Sequence, residues 1–215
     1  MTSNLTETLA ALRIGGAVIY PLLALAVLAG VIALDKCWVY LRWTRLPAQI
    51  TDTLEEFGFD WSGLEKQLAN VDGRNYLARF LGVIAENREH PAWWVESRAA
   101  DEASMIERAL ARGLWVLETI VTAAPLLGLL GTITGMIRSF HLFGDQSLVD
   151  PRGVTGGVAE ALIATAVGLL IALAALFAFN LLSNWQTAFM DQMERLGTRL
   201  VDHIRLDEEK SDAAP

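Results

Sequence analysis

The chain has 215 residues, 17 Lys and Arg against 25 Asp and Glu, a net charge of −8 and a hydrophobic fraction of 53%. An acidic chain with no basic run excludes a nucleic-acid partner, because phosphate binding needs clustered Lys and Arg. One cysteine, Cys37, excludes an internal disulfide, and no CxxC or Cys/His cluster suggests zinc. His90, His141 and His203 lie far apart and outside the apolar runs, so they read as polar surface residues, and no metal or cofactor is expected.

Mean hydropathy is +0.36 although 20% of residues are charged, so charges and apolar residues must be segregated along the chain. Three stretches carry no charge: Ile14 to Leu34, Thr119 to Ile137 and Ala161 to Met190, of 21, 19 and 30 residues. About 20 apolar residues cross a bilayer's hydrocarbon core as a helix. The expected fold is an all-α membrane protein with three transmembrane helices.

In chain order, residues 1–13 form a short outer segment and 14–34 the first span. The small-x-small triplet Ala24-Leu25-Ala26 behind Arg13 also resembles a signal-peptide cleavage site. A signal's apolar region is shorter, however, about 7–15 residues, and cleavage there would leave Val27 to Leu34 as an apolar terminus. The run is therefore read as a retained helix, kinked near Pro21. Residues 35–118 follow as a helical domain, 119–137 as the second span, 138–157 as a loop and 158–182 as the third span. A helix over 183–205 and a polar, disordered tail over 206–215 complete the chain. Lys36, Arg42, Arg45, Arg108 and Arg112 flank one side, against Arg13, Arg138 and Arg152 on the other. The positive-inside rule then makes 35–118 and the carboxyl terminus cytoplasmic, and the amino terminus and the 138–157 loop periplasmic.

Within the cytoplasmic part, Ala103, Ile106, Leu110, Leu114, Leu117 and Val121 recur at helical spacing. This predicts a helix over 96–118 running without punctuation into the second span and extending it by about 34 Å. After the third span Trp185, Phe189, Met193, Leu196, Leu200 and Ile204 repeat the pattern. Each stripe needs a partner, either within the subunit or on a neighbouring one. Pro47, Gly58, Gly63, Gly73 and Pro91 break residues 46–95 into short helices, such as Thr53 to Phe57 and Tyr76 to Glu89. Trp93 and Trp94 read as core.

Small residues line the spans. Ala124, Gly128, Gly131 and Gly135 share one face of the second; Gly157, Ala161, Ala164, Gly168, Ala172 and Ala175 share one face of the third. Such stripes let membrane helices approach closely, and two long ones exceed what one antiparallel pair requires, which points to oligomerisation. Thr132 lies six residues before Arg138 and Thr165 five after Glu160. The two hydroxyls are thus expected at about 9 and 7.5 Å depth, lining a shared polar passage, while Thr134 faces elsewhere. Glu160 reads either as a solvated acid at a helix start or as the mouth of an ion path. No ionisable residue lies in the middle of any span, so if protons move, a second polypeptide must supply the carrier group. Glu118 and Glu160 flank opposite sides of the membrane and cannot form a catalytic pair. No enzyme is expected.

The stretches APLLGLLGTITGMI (124–137) and GGVAEALIATAVGL (156–169) are similar to the second- and third-span signatures of the MotA/TolQ/ExbB proton channel family. Three spans with a large first cytoplasmic loop resemble its ExbB and TolQ branch. The resemblance implies a pentameric ring in a bacterial inner membrane, its pore lined by second and third spans. It implies a dimer of an ExbD- or TolR-like single-span partner carrying a membrane aspartate, and a TonB- or TolA-like protein driven by the proton-motive force. Thr132 and Thr165 match the family's pore threonines and Glu160 its third-span glutamate; Pro125, Gly128 and Gly131 match its second-span motif. Ala174 stands where the ExbB and TolQ branch usually carries a proline, which predicts a straight third helix. The function so implied is that of the ring subunit of a proton-driven motor energising TonB-dependent outer-membrane transport. The alternatives are a non-conducting scaffold for a periplasm-spanning partner, or the same motor serving a Tol-like envelope or gliding task.

Overall fold

A computed structural model describes residues 16–44, 59–144 and 151–212, in which all regular structure is helical. The elements are α1 (Ile19–Trp43), α2 (Trp61–Ala69), α3 (Tyr76–Glu86), α4 (Ala92–Ala111), α5 (Leu114–Gly144) and α6 (Pro151–Asp212). Three helical stretches, in α1, in α4–α5 and in α6, are long and apolar enough to cross a membrane. Two compact units form, one from the described parts of 1–34 and 113–181, the other from those of 35–112 and 182–215.

In the first unit α5 and α6 meet through the two small-residue stripes. Ala124, Ala161 and Ala164 are at most 3% exposed, and Gly128, Gly131, Gly135 and Gly168 are buried beside them. A Cβ on Gly168 would stand 2.6 Å from the Ala124 carbonyl oxygen, and one on Gly131 2.5 Å from the Ala164 Cβ. Only glycine permits this approach. The stripes are therefore occupied by each other within one chain. The surplus that pointed to oligomerisation is absorbed here, and large side chains cover the outside instead. Leu126, Leu162 and Leu170 are about two-thirds exposed, a surface suited to lipid or to another apolar helix.

The helix bounds depart from expectation in ways the backbone explains. Gly113 adopts φ +93°, in the left-handed region, and ends α4 at Ala111 before α5 starts at Leu114. The predicted uninterrupted helix over 96–118 is thus two helices, because an arginine-glycine pair stops the first. The apolar stripe itself persists, with Ile106, Leu110, Leu114 and Leu117 all buried. Pro21 falls in the first turn of α1, where its missing N–H has no helical partner to lose, so it need not kink the helix. Pro125 lies inside α5. α6 passes Ala174 and continues unbroken to Asp212, beyond residue 205, where the tail was expected to begin. The expected helix at Thr53 to Phe57, and residues 1–15, lie outside the described residues.

The second unit packs α3, α4 and the last part of α6 around one apolar core. Leu77, Leu81, Ile84, Val95, Ile106, Met193 and Leu200 are each at most 1% exposed, and every position of the predicted α6 stripe from Phe189 to Ile204 is buried. Asn75 caps α3, its carboxamide oxygen accepting from Leu77 N and Ala78 N at 3.0 and 3.1 Å. Asp60 caps α2 through Ser62 N and Gly63 N, both at 3.0 Å. Arg79 pairs with the buried Glu102, and Lys36 Nζ donates to the Ala109 carbonyl at 3.1 Å. Trp93 is 70% exposed and so not core, whereas Trp94 stacks on His90 and carries the Arg98 guanidinium 4.9 Å from its ring centroid.

Candidate ion-pathway site

The residues that could carry an ion path lie on α5 and α6 in the first unit. Thr165 is the most informative. Its hydroxyl donates across the helix interface to the Gly128 carbonyl at 2.9 Å. A Cβ on Gly128 would lie 3.0 Å from Thr165 Cα. The glycine thus lets the helices come close enough for a side chain on α6 to reach the backbone of α5. Thr132 behaves differently: its hydroxyl donates to its own helix, to Leu129 O at 2.7 Å, the usual habit of threonine in a helix. Thr134 does the same with Leu130 and Gly131.

Thr165 abuts Gly128, and Thr132 lies four residues further along α5. The two hydroxyls bond carbonyls of adjacent α5 residues, Gly128 and Leu129, one reached across the interface and the other within its own helix. A hydroxyl has one proton and two lone pairs. With both protons committed to carbonyls, Thr132 and Thr165 can offer only acceptor capacity to a visitor.

Toward the end of α5 in the same helix pair, Arg138 Nη1 donates to Glu160 Oε1 at 3.0 Å. The Glu160 side chain is 25% exposed and that of Arg138 57%. Gly16, at φ +68°, closes the other side: a Cβ there would fall 1.8 Å from Glu160 Oε1 and 3.4 Å from Arg138 Nη1. Ser139 is buried and donates to Gly135 O at 3.0 Å, with its Oγ 2.0 Å from where a Gly157 Cβ would stand. The sequence singled out Glu160 but not Arg138 and Gly16 as its surroundings. Arg138 was legible only as a flanking charge, and the Gly15-Gly16 pair ahead of the span was the one available signal for the turn. Of the other packing residues, Pro125 is half-buried on α5, while Ala172 is 8% exposed. No group of three or more His, Cys, Asp or Glu that could hold a metal occurs among the described residues.

Comparison with known proteins identifies the family. The model of the MotA/TolQ/ExbB proton channel family matches residues 70–195. A biopolymer transport protein designated ExbB-like 1 from Synechocystis sp. is 36% identical over 190 residues, covering 86% of this chain and 74% of the relative. The biopolymer transport protein ExbB of Aquifex aeolicus is 34% identical over 79 residues, 37% of this chain and 53% of that one. ExbB of Xanthomonas campestris is 36% identical over 93 residues, 43% of this chain and 37% of the relative. With three apolar helices and a family match over more than half its length, this multi-pass membrane chain belongs to the MotA/TolQ/ExbB proton channel family.

Proposed function

We propose that the chain is the ring-forming channel subunit of a proton-driven machine in a bacterial inner membrane, with its amino terminus periplasmic and its carboxyl terminus cytoplasmic. It works with an ExbD- or TolR-like partner whose single span carries an aspartate, and drives a TonB- or TolA-like protein. Biopolymer transport, the task in the relatives' names, is the output we assign. It is not an enzyme.

The observation that carries this reading is the Thr165–Gly128 hydrogen bond, a polar cross-link between two apolar helices with no ionisable residue in the middle of their spans. A carrier of protons must then come from outside the chain. Thr132 and Thr165, with acceptor lone pairs alone to offer, favour a visiting group that donates: water, or a carboxyl group while protonated. The path so lined admits the partner's acid in its neutral form and gives no such support to its anion. Glu160, held by Arg138 at the outer end, is the charged group nearest to where protons enter. A membrane potential supplies about 2.3 kcal/mol per charge per 100 mV, so one proton biases a step and sustained work needs many.

Proteoliposomes containing the chain and its partner, loaded with a pH-sensitive dye and given a potassium diffusion potential, test the reading. Proton uptake should appear only with both proteins present and should vanish in Thr165→Val. Equal flux without the partner would sink the missing-carrier argument, and no flux even with both proteins present would leave a scaffold.

A further inference from the structure

The second unit carries an open groove that the function above does not use. α4 and the end of α6 run antiparallel: Ala92 N donates to Glu208 at 3.0 Å, and Arg205 bridges Glu96 at 3.0 Å and Asp202 at 3.2 Å. Beyond this bridge the helices part around a groove of about 330 Å³ whose walls include Ala99, Ala100, Ala103, Met193 and Gly197. Gly197 is seated on Phe80, whose Cζ would lie 2.8 Å from a Cβ there, so the groove floor is a packed surface. Its far end carries Asp191 and Glu194, acids one turn apart with no ion-pair partner among the described residues.

The opposite flank of α4 bears a ridge. Asp101, Met105 and Arg108 lie on one face, turned roughly 150° from the groove wall at about 100° per residue. Met105 is 56% exposed, and Asp101 and Arg108 are exposed, with no ion pair among the described residues. Read in the direction of α4, the ridge runs acid, methionine, base. Read in the same direction, the groove runs from Arg205, already paired with Glu96 and Asp202, through small apolar residues to the acids Asp191 and Glu194. A groove and a complementary ridge on opposite flanks of one chain are what a head-to-tail contact needs, and rotation about an axis along the helices keeps their order in register.

We propose that the Asp101–Met105–Arg108 ridge of one copy seats in the α4–α6 groove of a second copy. Met105 fills the dip made by the alanines and Gly197, and Arg108 meets Asp191 and Glu194. The contact gives an interface to the ring of the preceding section and rests on that reading for its cyclic symmetry alone. The match of the base Arg108 to the acids Asp191 and Glu194, all unpaired among the described residues, at the end of the groove where it would lie, argues for a second copy as the occupant.

The test uses the full chain in lipid nanodiscs and in detergent, read by native mass and by cross-linking in a Cys37→Ser background. Met105→Cys with Ala100→Cys in the same chain should give a ladder of covalent oligomers on oxidation, and each single cysteine none. Arg108→Glu should weaken association roughly tenfold or more at unchanged helical content, and Asp191→Arg with Glu194→Arg should restore it. Oligomers that persist in Arg108→Glu without a ladder would overturn this contact and leave the ring. A wild-type chain that stays monomeric in bilayers would overturn both. Cross-linking of Ala100→Cys only to an added partner protein would assign the groove to that partner and overturn the proposal.

Discussion

Thr165 and Thr132 share a residue type and differ in what they hold. Thr165→Val deletes a cross-helix hydrogen bond and leaves the Gly128 carbonyl with one acceptor site idle. Such bonds between membrane helices are worth about 0.6–2 kcal/mol, so the expected loss is about 1 kcal/mol in reversible detergent unfolding. Thr132→Val removes a bond within its own helix, and stability should change by less than about 0.5 kcal/mol. Proton flux separates the residues' structural and conducting roles. If both lower flux while only Thr165→Val lowers stability, the acceptor path is upheld; if flux follows stability, the threonines act through packing. Gly168→Ala is the sharper packing probe. Its Cβ would stand 2.6 Å from a backbone oxygen that cannot rotate away, so α5 and α6 must separate. Overpacking of this kind costs about 1–3 kcal/mol, and Gly30→Ala, with nothing within 4 Å of the new Cβ, is the control that should be neutral or stabilise by up to about 1 kcal/mol.

At the scale of the element, caps and breaks decide where helices begin and end. Asn75→Ala should cost about 1–2 kcal/mol, because the cap is 4% exposed and two amide donors lose their acceptor. The Ser62 hydroxyl, then the Ser62 and Gly63 amides, hold the Asp60 carboxyl below the usual carboxylate range. A depressed folded value means that this cap stabilises above the unfolded value and is lost as pH falls through the folded one. Hydrogen exchange at Ser62 and Gly63 should therefore show α2 fraying in acid, and Asp60→Asn should keep the cap without that pH dependence. Gly113→Ala places a side chain at φ +93°, a strain of about 1–2 kcal/mol. A thermal midpoint unchanged by it would mean that the α4–α5 break is not needed.

For the whole molecule, the apolar exterior of the first unit and the mixed surface of the second meet different solvents. Leu126, Leu162, Leu170 and Phe177 are exposed at 64–70%, and in water such a band would aggregate. In a bilayer it is already at home, so packing between α5 and α6 relies on close backbone contact and polar links. That division predicts where solvent conditions act. Raising salt from 50 to 500 mM should weaken charge-dependent association through the second unit, where exposed pairs are screened within about 10 Å or less. It should leave the unfolding of the first unit unchanged, and differential hydrogen exchange on the two units reads both.

The sequence alone determined the three apolar helices, because a charge-free run of 19 residues or more has no other low-energy home than a bilayer. It also determined the buried faces of α4 and α6, since helical periodicity and burial are the same fact seen twice, and it marked Thr165 and Glu160 by their depth. The tertiary structure alone decided what those stripes and side chains touch. Small residues look identical whether they face a neighbour in the same chain or in another; only the α5–α6 register showed Ala124 to Gly135 used internally. The same register set the Thr165 hydroxyl on the Gly128 carbonyl and brought Arg138 and Gly16 around Glu160. Contacts between segments more than 20 residues apart depend on how two helices slide past each other, and no local pattern encodes that sliding.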